Sequence, residues 1–539
     1  MRLRTLTSRA LLPRWLREPV VAVGGGGPWT WAALAVGRGA GWLSQRLGLG
    51  HGSVVAGRVA LMLDPGVLRW LVRGRTVVLV SGTNGKTTTS HLLAGALRTV
   101  GEVAHNASGS NMADGAVAAL ARLPRARWAV LEVDELHLAE VADAVDPAAL
   151  VLLNLTRDQL DRVTEVRVTA ERIRQVLAAH PNTVAVANAD DPLTVWAATP
   201  AARRVWVAAG GGWHMDAASC PRCGELLQRG EPLLQRGEPR LDHDTAPAAR
   251  QVAPRHRLVG VDGHPSESAG VAPPGWVCPH CGLARPDPQW WWEYSGSTGE
   301  PLAHHAIRAG EAARCERART VTVRLRVGLP GRVNLNNAVM ALAGADTVGL
   351  DPARGAAGLA SVEEVAGRYL VTRIGAHVVR LLLVKNPAGW VEALEFLHVP
   401  RPIVVVVNAH EADGRDVSWL WDLPVEQLAT RPVAVAGDRA ADLGVRLSYA
   451  GIDHVTDPDP LAALRGLPTG EVDVVANYTA FLSLRDQLAR QAQHHPRRTP
   501  RRAGFRQASA AGADGEREGR TVVSDAARER PGGRAVSER

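Results

Sequence analysis

The sequence predicts an α/β protein: a central phosphate-loop domain on a parallel sheet, interrupted by a cysteine ribbon and followed by a second, Rossmann-like α/β domain. Three observations predict it. Val77 to Val80 is a β-branched and aliphatic run that breaks at Ser81-Gly82, after which Thr87 to Leu97 carries apolar residues at helical spacing. Similar short apolar runs recur, each ending in a polar cluster and separated by helical segments, which is the pattern of a doubly wound sheet. Two C-x-x-C pairs fall inside the first series of strands, and the strand pattern resumes after them.

Between the first strand and its helix lies Gly82-Thr83-Asn84-Gly85-Lys86-Thr87-Thr88, a shortened phosphate-binding loop. Glycines let backbone N–H groups turn inward around phosphate oxygens, and the helix N-terminus adds its dipole. Lys86 is placed to reach the β- and γ-phosphates, and the hydroxyl of Thr87 or Thr88 to hold Mg²⁺. The chain has only two lysines, Lys86 and Lys385, so 60 of its 62 basic residues are arginine. A composition so biased keeps a lysine where a planar guanidinium cannot replace a compact ammonium. Both are therefore functional candidates.

Residues 1–35 look poorly ordered, with a glycine run at Gly24 to Gly27, and Gly39 to Leu71 is amphipathic and helical. The arginines there are most simply solvated; contact with an anionic membrane is the less simple reading. After the loop, Trp128 to Leu131 forms a strand ending in Glu132-Val133-Asp134-Glu135. Ala149 to Leu153 ends in Asn154 to Arg162, and Thr183 to Ala187 ends in Asn188-Ala189-Asp190-Asp191-Pro192. Open parallel sheets bind ligands at such strand ends, and hard carboxylates there suit Mg²⁺.

Residues 213–300 break the alternation. Cys220-Pro-Arg-Cys223 and Cys278-Pro-His-Cys281 have the knuckle form of a structural Zn²⁺ ribbon. Between them Leu226 to Pro232 repeats as Leu233 to Pro239, and the Pro/Gly-rich stretch that follows is expected to be disordered. Val321 to Val327 resumes a strand, followed by Asn334, Asn336 and Asn337 at the head of an alanine-rich helix. Strands at Val378 to Val384, Ile403 to Val407, Pro432 to Ala436 and Val472 to Ala476 build the last domain, and disorder is expected from about His494. The expected organisation is an N-terminal extension 1–38, a central domain 39–364 with the ribbon at 213–300, a C-terminal domain 365–493 and a tail 494–539.

Bulk properties narrow the class. The length allows two to four domains. The net charge of +8 owes +5 to residues 491–539, so it makes no case for a nucleic-acid groove. No apolar run reaches the length of a membrane span, no secretion signal is evident, and paired cysteines read as metal ligands, so a cytoplasmic protein is expected.

GTNGKTTT, EVDE, NLTRDQLDR, NADDP, the two knuckles, KNPAG and ADGRDVSWLWD together resemble the Mur ligase superfamily and, within it, the MurT family, over roughly residues 40–492. The resemblance implies ATP and Mg²⁺ held by Lys86 and Thr87, with Glu132, alone or together with Glu135, as the acidic metal ligand. It implies nucleotide contacts from Asn334 and Asn337 and a linker arginine at Arg368. It also implies ATP-dependent amidation of the D-glutamate α-carboxylate of lipid II, through an acyl phosphate, with ammonia from a GatD-like class I glutaminase in a heterodimer at the inner membrane face. An aspartate lent to that partner falls at Asp416 or Asp413, and Lys385 opens the KNPAG motif of the second domain. Two absences accord with this. Four of the five cysteines are engaged as metal ligands and Cys315 lacks a nucleophile's strand–elbow context, so ammonia must come from another polypeptide. No lysine lies between Lys86 and Lys385 for the carbamylated lysine that related amino-acid-adding ligases resemble one another in using. The chain departs from the family at Ala409, where an acid is frequent, and in its long inter-knuckle loop. The competing readings are a stand-alone amino-acid ligase of the folylpolyglutamate type and a zinc-ribbon binding module with a degenerate nucleotide site.

Overall fold

The computed structural model describes residues 27–48, 52–107, 110–157, 165–211, 215–230, 275–307, 319–329, 331–362, 369–397 and 401–494. Arg368, Cys315, Asp158 to Arg162, the second copy of the duplicated heptapeptide, the stretch after it, and the tail beyond His494 lie outside them.

Helices α1 (Pro28–Arg46), α2 (Ser53–Leu63) and α3 (Val67–Leu71) precede strand β1 (Thr76–Ser81) and helix α4 (Lys86–Leu97). Then come β2 (Val103–His105), α5 (Ala113–Arg122), β3 (Trp128–Glu132), α6 (Leu138–Val145), β4 (Ala149–Leu152), α7 (Val166–Ala179), β5 (Val184–Asn188), α8 (Pro192–Ala198) and β6 (Arg203–Val207). The short pair β7 (Gln228–Arg229) and β8 (Trp276–Val277) is followed by β9 (Trp290–Tyr294), β10 (Pro301–Ile307), β11 (Arg319–Arg324), α9 (Arg332–Thr347) and α10 (Pro352–Leu359). The last section runs β12 (Tyr369–Ile374), β13 (His377–Leu383), α11 (Pro387–Phe396), β14 (Ile403–Val406), β15 (Val433–Ala436), α12 (Ala440–Tyr449), β16 (His454–Thr456), α13 (Pro460–Arg465), β17 (Gly470–Ala476) and α14 (Tyr478–His494).

The first sheet has nine strands in the order β11-β10-β9-β6-β5-β4-β1-β3-β2. Strand β1 lies between β4 and β3, parallel to both, and helices cover both its faces. That is why its sequence is uniformly apolar rather than alternating. Val77 and Leu79 enter one core and Val78 and Val80 the other. The second sheet, β12-β13-β17-β14-β15-β16, is parallel except for its edge strand β12 and carries its own core on each face.

Three expectations need correction. Helix begins at Pro28 rather than near Gly39, because proline is preorganised for the first helical turn and Ala33 and Leu34 are buried. The stretch to Leu71 is three helices, one ending at Arg46, one running Ser53–Leu63 and one starting at Val67 after Asp64-Pro65-Gly66. The ribbon is shorter than 213–300: Trp290 already pairs with Val207 as β9 joins β6 in parallel, and β10 and β11 then continue the main sheet antiparallel. Burial of Trp290 and Trp292 assigns β9 to the central core.

Candidate nucleotide site and cysteine cluster

The loop 82–88 leaves the C-terminal end of β1, which the doubly wound topology makes the ligand-facing edge. Gly82 and Gly85 adopt φ of 134° and 85°, a region that residues with a Cβ avoid. A Cβ at Gly85 would also fall 2.6 Å from Asn337 Oδ1. Asn154, just past β4, braces the loop: its Oδ1 accepts from the Asn84 N–H at 2.9 Å and its Nδ2 donates to the Asn84 carbonyl at 3.1 Å. Thr83 N–H donates to the Asn154 carbonyl at 2.8 Å. Lys86, Thr87 and Thr88 form the first turn of α4, where unsatisfied N–H groups face the loop.

An acidic wall faces that turn. Lys86 Nζ lies 3.1 Å from Glu135 Oε2, both side chains being largely buried. Thr87 Oγ1 donates to Glu132 Oε1 at 3.2 Å, while Glu132 Oε2 is buried without a hydrogen-bond partner among the described residues. An orphaned hard oxygen beside a hydroxyl, next to a loop built for phosphate, fits Mg²⁺. Thr89 Oγ1 donates to Asn337 Oδ1 at 3.2 Å, so Asn337 touches the loop helix directly. Asn334 lies one turn earlier on α9 and so shares its face. Arg368 lies outside the described residues.

The second domain reaches the same loop. Asn84 Nδ2 donates to Asn386 Oδ1 and Asn386 Nδ2 to Asn84 Oδ1, each at 3.3 Å. Asn386 is the N-cap of α11, accepting from Gly389 N–H at 2.9 Å, which places Lys385 beside the loop as well. The Lys385 ammonium lies 5.7 Å from the centre of the Tyr478 ring. A second contact runs from Arg157, whose guanidinium pairs with Asp216 at 2.5 Å and with Asp422 at 3.2 Å.

Asp413 and Asp416 have different environments. Asp413 accepts from Thr479 N–H at 2.8 Å, from the Thr479 hydroxyl and from His410 N–H at 3.3 Å, so it ties a loop to α14. Asp416 is exposed on the rim of a surface pocket of about 280 Å³ also lined by Arg415, Ser418, Trp421, Arg439 and Asp442. Its Oδ1 accepts from Ser418 N–H at 2.8 Å, and that bond, with a further one to the Ser418 side chain, holds its carboxyl below the usual range.

The four sulfurs of Cys220, Cys223, Cys278 and Cys281 all lie within 4.8 Å of one another, with Cys220 to Cys281 and Cys223 to Cys278 at 3.5 Å. A tetrahedral centre with Zn–S bonds of about 2.3 Å sets its sulfurs about 3.8 Å apart, so the four thiols fit zinc. Burial pushes the Cys220 thiol up to about 12. Cys278 is raised by burial too, but the N–H groups of Cys281 and His280 and the thiols of Cys223 and Cys281 outweigh that and bring it down to about 7. The cluster is tied to the sheet by Asp190, which pairs with Arg285 at 2.6 Å and accepts from Gly210 N–H at 2.7 Å. Its neighbour Asp191 caps α8, accepting from Leu193 N–H at 2.8 Å and Leu155 N–H at 2.7 Å. Burial, opposed by three backbone N–H bonds, pushes the Asp191 carboxyl up to about 6. The NADDP acids are thus structural, whereas Asn154 and Asn386 are the loop-bracing residues that sequence reasoning passed over. Their signal was position: each directly follows an apolar strand or its terminal lysine.

Comparison with known proteins agrees with this construction. Residues 80–211 match the Mur ligase middle domain and residues 383–481 the MurT ligase C-terminal domain. The chain is 28% identical over 467 residues to the lipid II isoglutaminyl synthase (glutamine-hydrolyzing) subunit MurT of Streptococcus pneumoniae, covering 82% of this chain and 93% of that protein. It is 26% identical to the subunit of the same name from Staphylococcus aureus strain N315, covering 85% and 98%. Among solved structures, a pseudomurein peptide ligase type C from Methanothermus fervidus superposes with a TM-score of 0.55 at 18% identity, covering 79% of this chain and 80% of that one. MurF from Acinetobacter baumannii superposes at 0.53 with 16% identity, covering 81% of each. With a Mur ligase middle domain built around its phosphate loop and a MurT-type C-terminal domain docked against that loop, the chain belongs to the Mur ligase superfamily.

Proposed function

We propose that this chain is the ATP-dependent synthetase subunit of a lipid II isoglutaminyl synthase. The carrying observation is the meeting of the phosphate loop with the MurT-type domain at Asn84 and Asn386, in a chain similar over more than four-fifths of its length to subunits of that name. The loop residues Gly82 to Thr88 and the α4 N-terminus would hold the ATP phosphates, with Lys86 as the point charge. Thr87 and Glu132 would hold Mg²⁺, with Glu135 as the second acid of the wall, and the metal would neutralise phosphate charge. Asn334 and Asn337 would contact the nucleotide from α9, Arg368 from the interdomain linker, and Lys385 from the second domain. The four cysteines would close around zinc, leaving no position open for substrate.

The reaction is the transfer of the γ-phosphoryl group of ATP to the α-carboxylate of D-glutamate in the lipid II stem, releasing ADP. Ammonia then attacks the acyl carbon with its lone pair, phosphate departs, and the nitrogen loses a proton to give D-isoglutamine. The ammonia would come from glutamine hydrolysed by a GatD-like class I glutaminase. Exposed, ionised Asp416 is the aspartate available to that partner's Cys–His pair, because Asp413 is spent inside its own domain. The complex would work in the cytoplasm, against the membrane face that carries lipid II.

The test is reconstitution. The chain mixed with a class I glutaminase, ATP, Mg²⁺ and lipid II should amidate one carboxylate per ATP, with either glutamine or free ammonia as nitrogen source. Ligation of glutamate by the chain alone, with no amidation, would replace this reading with the stand-alone ligase.

A further inference from the structure

The outer face of the N-terminal hairpin is a surface that the nucleotide chemistry does not use. Trp29, Val36, Leu43 and Leu47 recur along α1 and the residue after it at intervals of seven, seven and four, which places them in one stripe. All four are between 51% and 64% exposed. Met62 and Leu63 at the end of α2 adjoin the same end as Trp29, whose Nε1 donates to the Leu63 carbonyl at 2.8 Å.

The stripe cannot be turned inward. The opposite face of α1 is held at backbone distance from α2: a Cβ on Gly37 would fall 2.4 Å from the Ala56 carbonyl oxygen, and one on Gly41 2.5 Å from that of Gly52. Arg38 on that side donates to the Ala121 carbonyl at 3.2 Å. The apolar outer stripe is therefore a built surface.

Charge indicates what covers it. The first 75 residues hold 11 arginines and two acids, and residues 491–539 hold 11 arginines and six acids. Against +8 overall, the body between them is net negative by six, so its charge is opposite to that of the hairpin region. Arg46 borders the stripe, with its guanidinium 5.0 Å from the Trp42 ring centre; Arg69 on α3 and Arg73 just after it are exposed, as is Arg58 on α2, which also pairs with Asp114 at 3.4 Å. Apolar residues and tryptophan on one face with arginine at its border is the make-up of a helix that lies in a bilayer interface. No described helix is long and apolar enough to cross one. We propose that the outer face of the α1–α2 hairpin docks on an anionic lipid bilayer, with the Trp29–Leu47 stripe entering the headgroup boundary and the arginines facing lipid phosphates.

This surface is independent of the reaction proposed above, although a lipid-linked substrate would make it useful. The experiment is co-sedimentation of the full chain with vesicles of phosphatidylcholine alone or mixed with phosphatidylglycerol. Binding should require phosphatidylglycerol and weaken as salt is raised. Arg46→Ala should lower the partition coefficient about fivefold. Val36→Glu with Leu43→Glu, both at exposed positions, should lower it at least about tenfold while leaving the melting temperature unchanged. Turnover of a soluble glutamyl peptide should be the same in all these variants, which separates failure of docking from failure of the proposed reaction. Equal binding to both vesicle types would overturn the proposal, as would full binding by the double variant. Conversion of a dimer to a monomer by the double variant, without vesicles, would assign the face to a second copy instead.

Discussion

Lys86 Nζ sits 3.1 Å from Glu135 Oε2 and 3.3 Å from Oε1, with the two side chains only 8% and 12% exposed. The lysine proposed to grip phosphate is thus already paired with a carboxylate. Phosphate must compete for it, and a compact ammonium on a flexible stem can swing between the two partners where a planar fork could not. Lys86→Ala should abolish ATP-dependent amidation while the chain still folds and binds its glutaminase, and Lys86→Arg should not restore activity. ADP release with ammonia as nitrogen source measures both; normal turnover in the alanine variant would remove the loop from the reaction.

Glu132→Gln keeps an oxygen for the Thr87 hydroxyl but removes the charge next to the orphaned oxygen. ATP turnover should fall by about 10²–10³, the size of losing one well-placed electrostatic contact. The Mg²⁺ concentration for half-maximal rate should rise with it. A loss of rate with an unchanged Mg²⁺ requirement would mean that Glu132 only supports the helix.

The two candidate aspartates separate by readout. Asp416→Asn should lower glutamine-dependent amidation by the complex and spare the ammonia-dependent rate, with no change in melting temperature. Asp413→Asn should instead destabilise the second domain by about 1–3 kcal/mol, because it weakens hydrogen bonds from a charged acceptor to Thr479. Loss of glutaminase activity only in the second variant would reverse the assignment.

Native mass spectrometry should find one zinc per chain, and Cys220→Ser should lose it. The melting temperature should drop with it, since metal binding and folding of such a site are one equilibrium. Retention of the metal by the serine variant would point to ligands other than these four.

His105 gives a pH signature. Burial, then the neighbouring His91 and Arg98, hold its pKa down at about 3, and its Nε2 lies 3.0 Å from Ser90 Oγ on the loop helix. The unfolded chain takes up that proton near pH 6.5, so it binds more protons than the fold between the two values. The contribution is therefore complete above about pH 6.5 and is lost as pH falls, by at most about 1.4 kcal/mol per pH unit. Urea unfolding at pH 7 and pH 5 should show a smaller loss for His105→Gln than for the parent chain. Identical losses would show that His105 is not the group responsible.

What was legible in the sequence was local. The β1–loop–α4 unit is contiguous, so strand, glycines and lysine declare themselves together, and the cysteine knuckles carry their ligand spacing within four residues. The long-range braces were not legible. Asn154 meets Asn84 across 70 residues and Asn386 meets it across 302, with neither spacing leaving a pattern. Glycine misled near the N-terminus: the run Gly24 to Gly27 carries the expected loose segment on to residue 35, whereas helix begins at Pro28, and Gly37 and Gly41 are where two helices touch backbone to backbone. Strand β6 was passed over because it is short and begins with the exposed pair Arg203 and Arg204.

The reciprocal amide contact between Asn84 and Asn386 has a mechanical meaning. Each side chain is at once giver and taker, so both bonds form in one relative placement of the two domains and are lost together when either loop turns. Asn386 also caps α11, so a shift of the phosphate loop pulls on the first turn of that helix. The pair therefore fixes the phosphate loop, the first turn of α11 and the second domain in one common placement.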